Sequence, residues 1–222
     1  MRRMSGNSVV LGLFGFLLVA GIAIGFYVYN QADYRHESKA DLGPLDKRLH
    51  IVIESAKKSK SFEIVHYEDV EDGMMVFTKN TGGNAPANLS ANHITVNAED
   101  KLEWSWGGDY SASAGTETAD IYFQYIGKNE NGPETAKPSP FPLLYGELFN
   151  PAITDIVVSN GDGLRQPAKI ITTGKDKRIW VAYLPDSAEG TSFTIEGLDR
   201  SGSLIAAGEL KDGTMGMSKP AP

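Results

Sequence analysis

From Val9 to Tyr29 the chain runs 21 residues, VVLGLFGFLLVAGIAIGFYVY, without a charge, and no other stretch so limits what the rest can be. As a helix rising about 1.5 Å per residue it is roughly 32 Å long, against a hydrocarbon core of about 30 Å. The run predicts a transmembrane helix, and the remainder reads as cargo on a membrane tether. MRRMSGNS precedes it, with Arg2 and Arg3 and no acid. The positive-inside bias then places residues 1–8 in the cytoplasm and everything after the span outside the cell, in a single-pass arrangement. A cleaved secretory signal is the competing reading, with Ala20, Gly21 and Ala23 as the small residues of a cleavage site. The apolar run exceeds the roughly 7–15 residues of a signal, and it continues past those positions through Ile24, Phe26 and Val28. An uncleaved anchor is therefore expected.

Tyr27 and Tyr29 stand at the outer end of the span, where an amphipathic ring bridges lipid and headgroup. Gly21 and Gly25 have the small-xxx-small spacing that lets two helices approach, which makes them candidate dimerisation residues, although glycine is common in membrane helices anyway. No ionisable side chain lies inside the span, so it carries no groups for a proton relay or an ion pathway.

Removing Arg2 and Arg3 from the 21 basic residues leaves 19 against 28 acidic ones, a formal net charge of −9 on the external part. That charge argues against a nucleic-acid partner, whose phosphates need a basic surface. Cysteine is absent. The external part must then be stable without disulfides, and a lipid-modified cysteine cannot be the anchor.

Residues 30–43 are polar with mixed charge and read as a stalk. Pro44 followed by Leu45, Leu49, Val52 and Ala56 predicts one short amphipathic helix over 44–58, with Lys57, Lys58 and Lys60 suiting its negative end. The period then changes from 3.6 to 2. Strands are expected at 62–67 and 74–79, joined at Asp72-Gly73, then at 93–97, 101–106 and 120–126, the last apolar on both faces. Residues 80–92 read as a loop, and Gly107-Gly108 as the end of a strand. Residues 127–142, with two Gly and four Pro, read as a long loop or a linker between subdomains. Further strands follow at 153–158, 168–172, 178–184, 191–196 and 203–207. The expected fold is mainly β: a transmembrane helix, one amphipathic helix in a 44–126 subdomain, and antiparallel sheets that become sandwich-like over 143–210, with a disordered tail at 211–222.

Chemistry-bearing motifs are sparse. Ser55-x-x-Lys58 and Ser90-x-Asn92 match two of the three signatures of penicillin-recognising serine enzymes, but the third, Lys-Thr-Gly, is missing. The four histidines, His36, His50, His66 and His93, show no metal-ligand spacing and read as partly exposed surface groups. No metal and no cofactor is expected. Asn88-Leu-Ser90 fits a glycosylation sequon, and Asn160-Gly-Asp-Gly163 reads as a turn rather than a calcium loop. The aromatics are the positive signal: Trp104 and Trp106 alternate onto one expected face and Trp180 lies on a later strand. Such rings stack on sugars or grip peptides, and they also fill cores; Trp104, Trp106 and Trp180 are the candidate ligand-binding residues.

Phe62-Glu-Ile-Val-His66 with Asp72-Gly73-x-x-Val76-Phe77, Trp104-Ser-Trp106-Gly-Gly, Leu144-Tyr-Gly146 with Ile153-x-x-Ile156-x-Val158, Arg178-x-Trp180 and Asp199-x-x-Gly202 together resemble a group of uncharacterised membrane-anchored extracytoplasmic proteins of Gram-positive spore-forming bacteria. The resemblance covers about residues 62–206 and implies no activity and no catalytic residue. The expectation is a non-enzymatic binding, sensing or scaffold module, with the lipid bilayer as one partner through residues 9–29 and a protein or cell-wall partner outside the cell. The alternative is an enzyme or accessory factor acting on cell-wall glycan or peptide.

Overall fold

The computed structural model describes residues 44–82, 88–109, 119–128, 141–175, 177–211 and 215–220. The 9–29 span with Gly21 and Gly25, the flanking residues 1–8 and the stalk lie outside the described residues. Among those described, no helix is long and apolar enough to cross a membrane.

From Asp46 onward the chain forms one compact unit. Among the described residues it is mainly β, with one α-helix and three antiparallel sheets. Helix α1 (Leu45–Lys57) carries Asp46 in its first turn and Lys57 in its last, and buries Leu49 and Ile53. It ends where Lys58 takes a left-handed backbone, φ 53°. The first sheet is a meander, β1 (Phe62–Val70), β2 (Gly73–Asn80), β3 (Leu89–Val96) and β4 (Leu102–Asp109), in that order. Its first hairpin turns at Gly73, where φ is 145° and a Cβ would meet the carbonyl oxygen of Ile94 at 2.2 Å; only glycine fits there.

Next come β5 (Ile121–Ile126), β6 (Leu143–Leu148), β7 (Asp155–Asn160), β8 (Arg165–Pro167), β9 (Lys169–Gly174) and β10 (Lys177–Tyr183). They are followed by β11 (Phe193–Leu198), β12 (Leu204–Leu210), β13 (Met215–Met217) and β14 (Lys219–Pro220). The middle sheet has the order β13-β5-β6-β10-β9, and the third β14-β12-β11-β7-β8.

The middle sheet is buried on both faces, which explains why its central strands lack polar alternation. Ile121, Phe123, Leu144, Trp180 and Ala182 form one cluster with Ile156, Val158, Phe193, Ile195 and Ala206 of the third sheet. On the opposite face, Tyr122, Leu143, Tyr145, Ile179 and Val181 form a second cluster with Met75, Phe77, Leu89, Ala91 and Trp106 of the first sheet. The outward-facing Met74, Val76 and Ile94 of the first sheet are buried too. Helix α1 lies on that side, where His50 stacks on Phe62 with ring centroids 4.3 Å apart.

Several sequence expectations change here. The break at 127–142 is not a domain boundary. It joins β5 to β6, which pair from Ile121↔Leu148 to Ile126↔Leu143, so subdomains 44–126 and 143–210 share one sheet. Strand β6 is not legible in the sequence, because LLYGEL has neither a clean period nor flanking alternation, yet it sits at the centre of the middle sheet. Strand β3 begins at Leu89, inside the expected loop, and β4 continues through Gly107-Gly108. The tail is not wholly disordered: β13 pairs with β5 and β14 with β12, and Ser218 between them exchanges hydrogen bonds with Ile121.

Candidate functional site

Among the described residues strand β1 is the longest and pairs only with β2, so its other edge is unpaired there. Along that edge runs an open groove of about 650 Å³, lined by Asp46 and His50 from α1 and by Ile64, Val65, His66 and Tyr67 from β1. Asp46 and His50 are four apart and so share one helix face. On β1 the register shifts between Ile64 and His66, a bulge that inserts Val65 and re-aims the residues after it. Tyr67 is left exposed, while the His66 ring lies 6.2 Å from that of Phe77, towards the middle sheet.

Behind His66 a polar cluster ties β1 to the middle sheet. Glu68 accepts a hydrogen bond from the Tyr183 hydroxyl at 2.7 Å and pairs closely with the Lys169 ammonium. His66 Nε2 lies 3.7 Å from the same carboxylate. Burial pushes the Glu68 carboxyl up, but the hydrogen bonds from Lys169 and Tyr183 and the neighbouring positive charge outweigh it and hold the group below its ordinary 4.5. Burial and the Glu68 carboxylate together drive the Tyr183 hydroxyl well above its usual range, so it remains a donor at physiological pH.

A carboxyl with a lowered folded value contributes stability above its unfolded value, and that stability disappears as pH falls through the folded value. Tyr183→Phe is therefore expected to cost about 1–2 kcal/mol at pH 7, and the difference should shrink as pH falls through the lowered folded value of Glu68. Urea unfolding of the two proteins at pH 7 and at a series of acid pH values is the check.

The tryptophans singled out from sequence do not gather. Trp180 is fully buried between the middle and third sheets, its indole N–H donating to the Tyr122 carbonyl at 3.3 Å. Trp106 is buried in the other cluster, stacked on His93 with centroids 5.8 Å apart. Trp104 is 37% exposed and donates to Asn92 Oδ1 at 3.4 Å. The expected common face for Trp104 and Trp106 fails because a register shift sets them opposite Ile94 and His93, consecutive residues that face opposite sides of the sheet. His93 is itself 2% exposed, not the partly exposed surface group expected.

Of the serine signatures, Ser55 is exposed on α1, whereas Ser90 and Asn92 are buried in β3. The Asn92 amide donates to the Val76 carbonyl and the Thr78 hydroxyl, a structural use. The sequon residue Asn88 is engaged as well, its side chain donating to the Asn80 carbonyl at 2.9 Å. Among the described residues no group of three or more His, Cys, Asp or Glu gathers as a metal site.

The groove and its cluster were not legible beforehand. Asp46 and His50 are far from His66 in sequence, and Lys169 and Tyr183 further still; only the bulge and the stacking of the sheets bring them to one edge. No family model, curated protein or solved structure matches the chain.

Proposed function

We propose that this chain is a membrane-tethered binding module: residues 9–29 hold it in the bilayer with the amino terminus in the cytoplasm, and the β body, with its middle and third sheets packed sandwich-like, engages an extracytoplasmic protein partner. The resemblance to uncharacterised membrane-anchored extracytoplasmic proteins belongs to the same proposal. The observation that carries it is the open groove along the free edge of β1, since an unpaired edge offers backbone donors and acceptors to an added strand.

Charge defines the partner's chemistry. Asp46 lines the groove, and Glu63 and Asp69 are exposed on the same strand β1, so an extended segment bearing Lys or Arg complements it. A second copy of β1 does not. Antiparallel self-pairing centred on His66 would set Glu63 against Asp69, and like charges directly opposite are destabilising.

The test is a photo-crosslinking residue placed at Tyr67 in whole cells, compared with the same residue at Leu204, which is equally exposed but lies on the third sheet. A discrete protein adduct at position 67 and none at 204 supports the proposal. Absence of an adduct at 67 overturns it, as does covalent labelling of Ser55 by a β-lactam probe, which would mark an enzyme.

A further inference from the structure

The last described residues close two sheets at once. Strand β13 pairs with β5 at Met215↔Gln124, Gly216↔Phe123 and Met217↔Tyr122, and β14 pairs with β12 at Ala206↔Pro220 and Ala207↔Lys219. Without this segment β5 and β12 would be the edges of the middle and third sheets. Between the two short ladders Ser218 is 4% exposed; its hydroxyl accepts from the Ile121 N–H at 3.0 Å, and its own N–H donates to the Ile121 carbonyl at 2.9 Å.

What the segment brings to the two sheets is backbone. Neither apolar cluster contains a described residue beyond Leu210, Gly216 has no side chain, and Met217 is 40% exposed. Gly216 lets the strand come close: a Cβ there would meet Phe123 Cε2 at 2.3 Å, so that ring lies directly against the main chain. Beside the segment is an open pocket of about 520 Å³, lined by Thr194, Ala207, Gly208, Glu209, Lys211 and Met217. A strand that completes sheet edges through its main chain while adding little to the core is held as a sheet holds an extended peptide. The ladders that hold this one are three pairs and two pairs long.

We propose that the cleft between the β5 and β12 edges is a peptide-binding site that the chain occupies with its own residues 215–220, a replaceable strap, and that its outside ligand is an extended peptide with glycine and serine two positions apart. The glycine lets the strand lie on Phe123, and the serine hydroxyl and N–H satisfy both backbone groups of Ile121. The residue between them stands where Met217 borders the pocket, so a larger side chain there gains contacts that the strap does not make. In the intact chain the strap competes at an effective concentration on the order of millimolar, which keeps the site closed to weak ligands. Cutting the chain ahead of Met215, or a ligand that fits better, opens it. A vacated cleft would bare Phe123 and two rows of unpaired backbone groups, so it takes up another strand. The site lies on the middle and third sheets and stands whether or not the β1 groove of the first sheet binds a partner.

Strand exchange on the full chain in detergent solution is the test. A site-specific protease sequence replaces residues 212–214, the folded protein is cut, and a fluorescent peptide of residues 215–222 is added in excess. The cut protein should take up the peptide, seen as co-elution on gel filtration. Uptake should fall about tenfold or more for the same peptide carrying Gly216→Val, and likewise for protein left uncut. No uptake by cut protein, equal uptake of the two peptides, or equal uptake by cut and uncut protein would overturn the proposal. The unaltered chain gives a second reading that needs no inserted site. Its Ser218 and Ile121 amides should exchange with deuterium about tenfold or more faster than amides at the centre of β6, because the strap opens without global unfolding. Equal protection of the two sets would overturn it as well.

Discussion

Gly146→Ala is expected to abolish the native fold. A Cβ at this position would lie 1.8 Å from the Tyr122 carbonyl oxygen and 2.8 Å from Trp180 Nε1. The first contact is with backbone, so no side-chain rotation relieves it. Gly146 pairs with Phe123 on one side and Trp180 on the other, at the centre of the middle sheet, and a shift of either neighbour would disturb both apolar clusters. Overpacking in a core costs about 1–3 kcal/mol when side chains can adjust and more when backbone must move. Against a total stability of about 5–15 kcal/mol, the variant should lose its cooperative urea transition, read by circular dichroism in detergent solution. A normal transition at the unaltered midpoint would mean that β5, β6 and β10 are not packed as described.

Trp180→Ala should cost about 3–5 kcal/mol, the range for truncating a buried large aromatic. The indole is fully buried and its N–H satisfies the Tyr122 carbonyl, so truncation opens a cavity and orphans an acceptor. Trp104→Ala, at a position more than one-third exposed, should cost about 1 kcal/mol, from partial burial and one long hydrogen bond. Denaturant midpoints of the two variants rank them directly. Equal losses would contradict the assignment of one ring to the core and the other to the surface.

The contrast between these two rings shows what could be read from the chain and what could not. Helix α1, the Asp72-Gly73 hairpin and most strands follow from local periodicity, because amphipathic spacing and turn chemistry act over a few residues. Position 180 reads as a strand aromatic whichever cluster it joins, since burial on both faces erases the alternation that would tell one side from the other. The separation of Trp104 from Trp106 depends on one inserted residue, and a single-residue shift reverses every side chain beyond it. Strand β6 was missed for the related reason that Gly146 and Glu147 look like loop residues until their partners are known: the indole of Trp180 above one, the ammonium of Lys79 against the other. The β1 groove is further out of reach, since Glu68 meets Lys169 and Tyr183 only after the first sheet has been laid on the middle one.

Which side of the membrane the β body occupies is central to a tethered binding module. Protease added to intact cells, followed by alkaline extraction of the membranes, addresses this most directly. For a tethered external body, untreated full-length protein should stay with the membrane pellet, and external protease should reach the sheets while a cytoplasmic control is spared. Full-length protein that retains residues 9–29 yet fractionates as soluble, or that resists protease on whole cells but is cut once they are lysed, would contradict it.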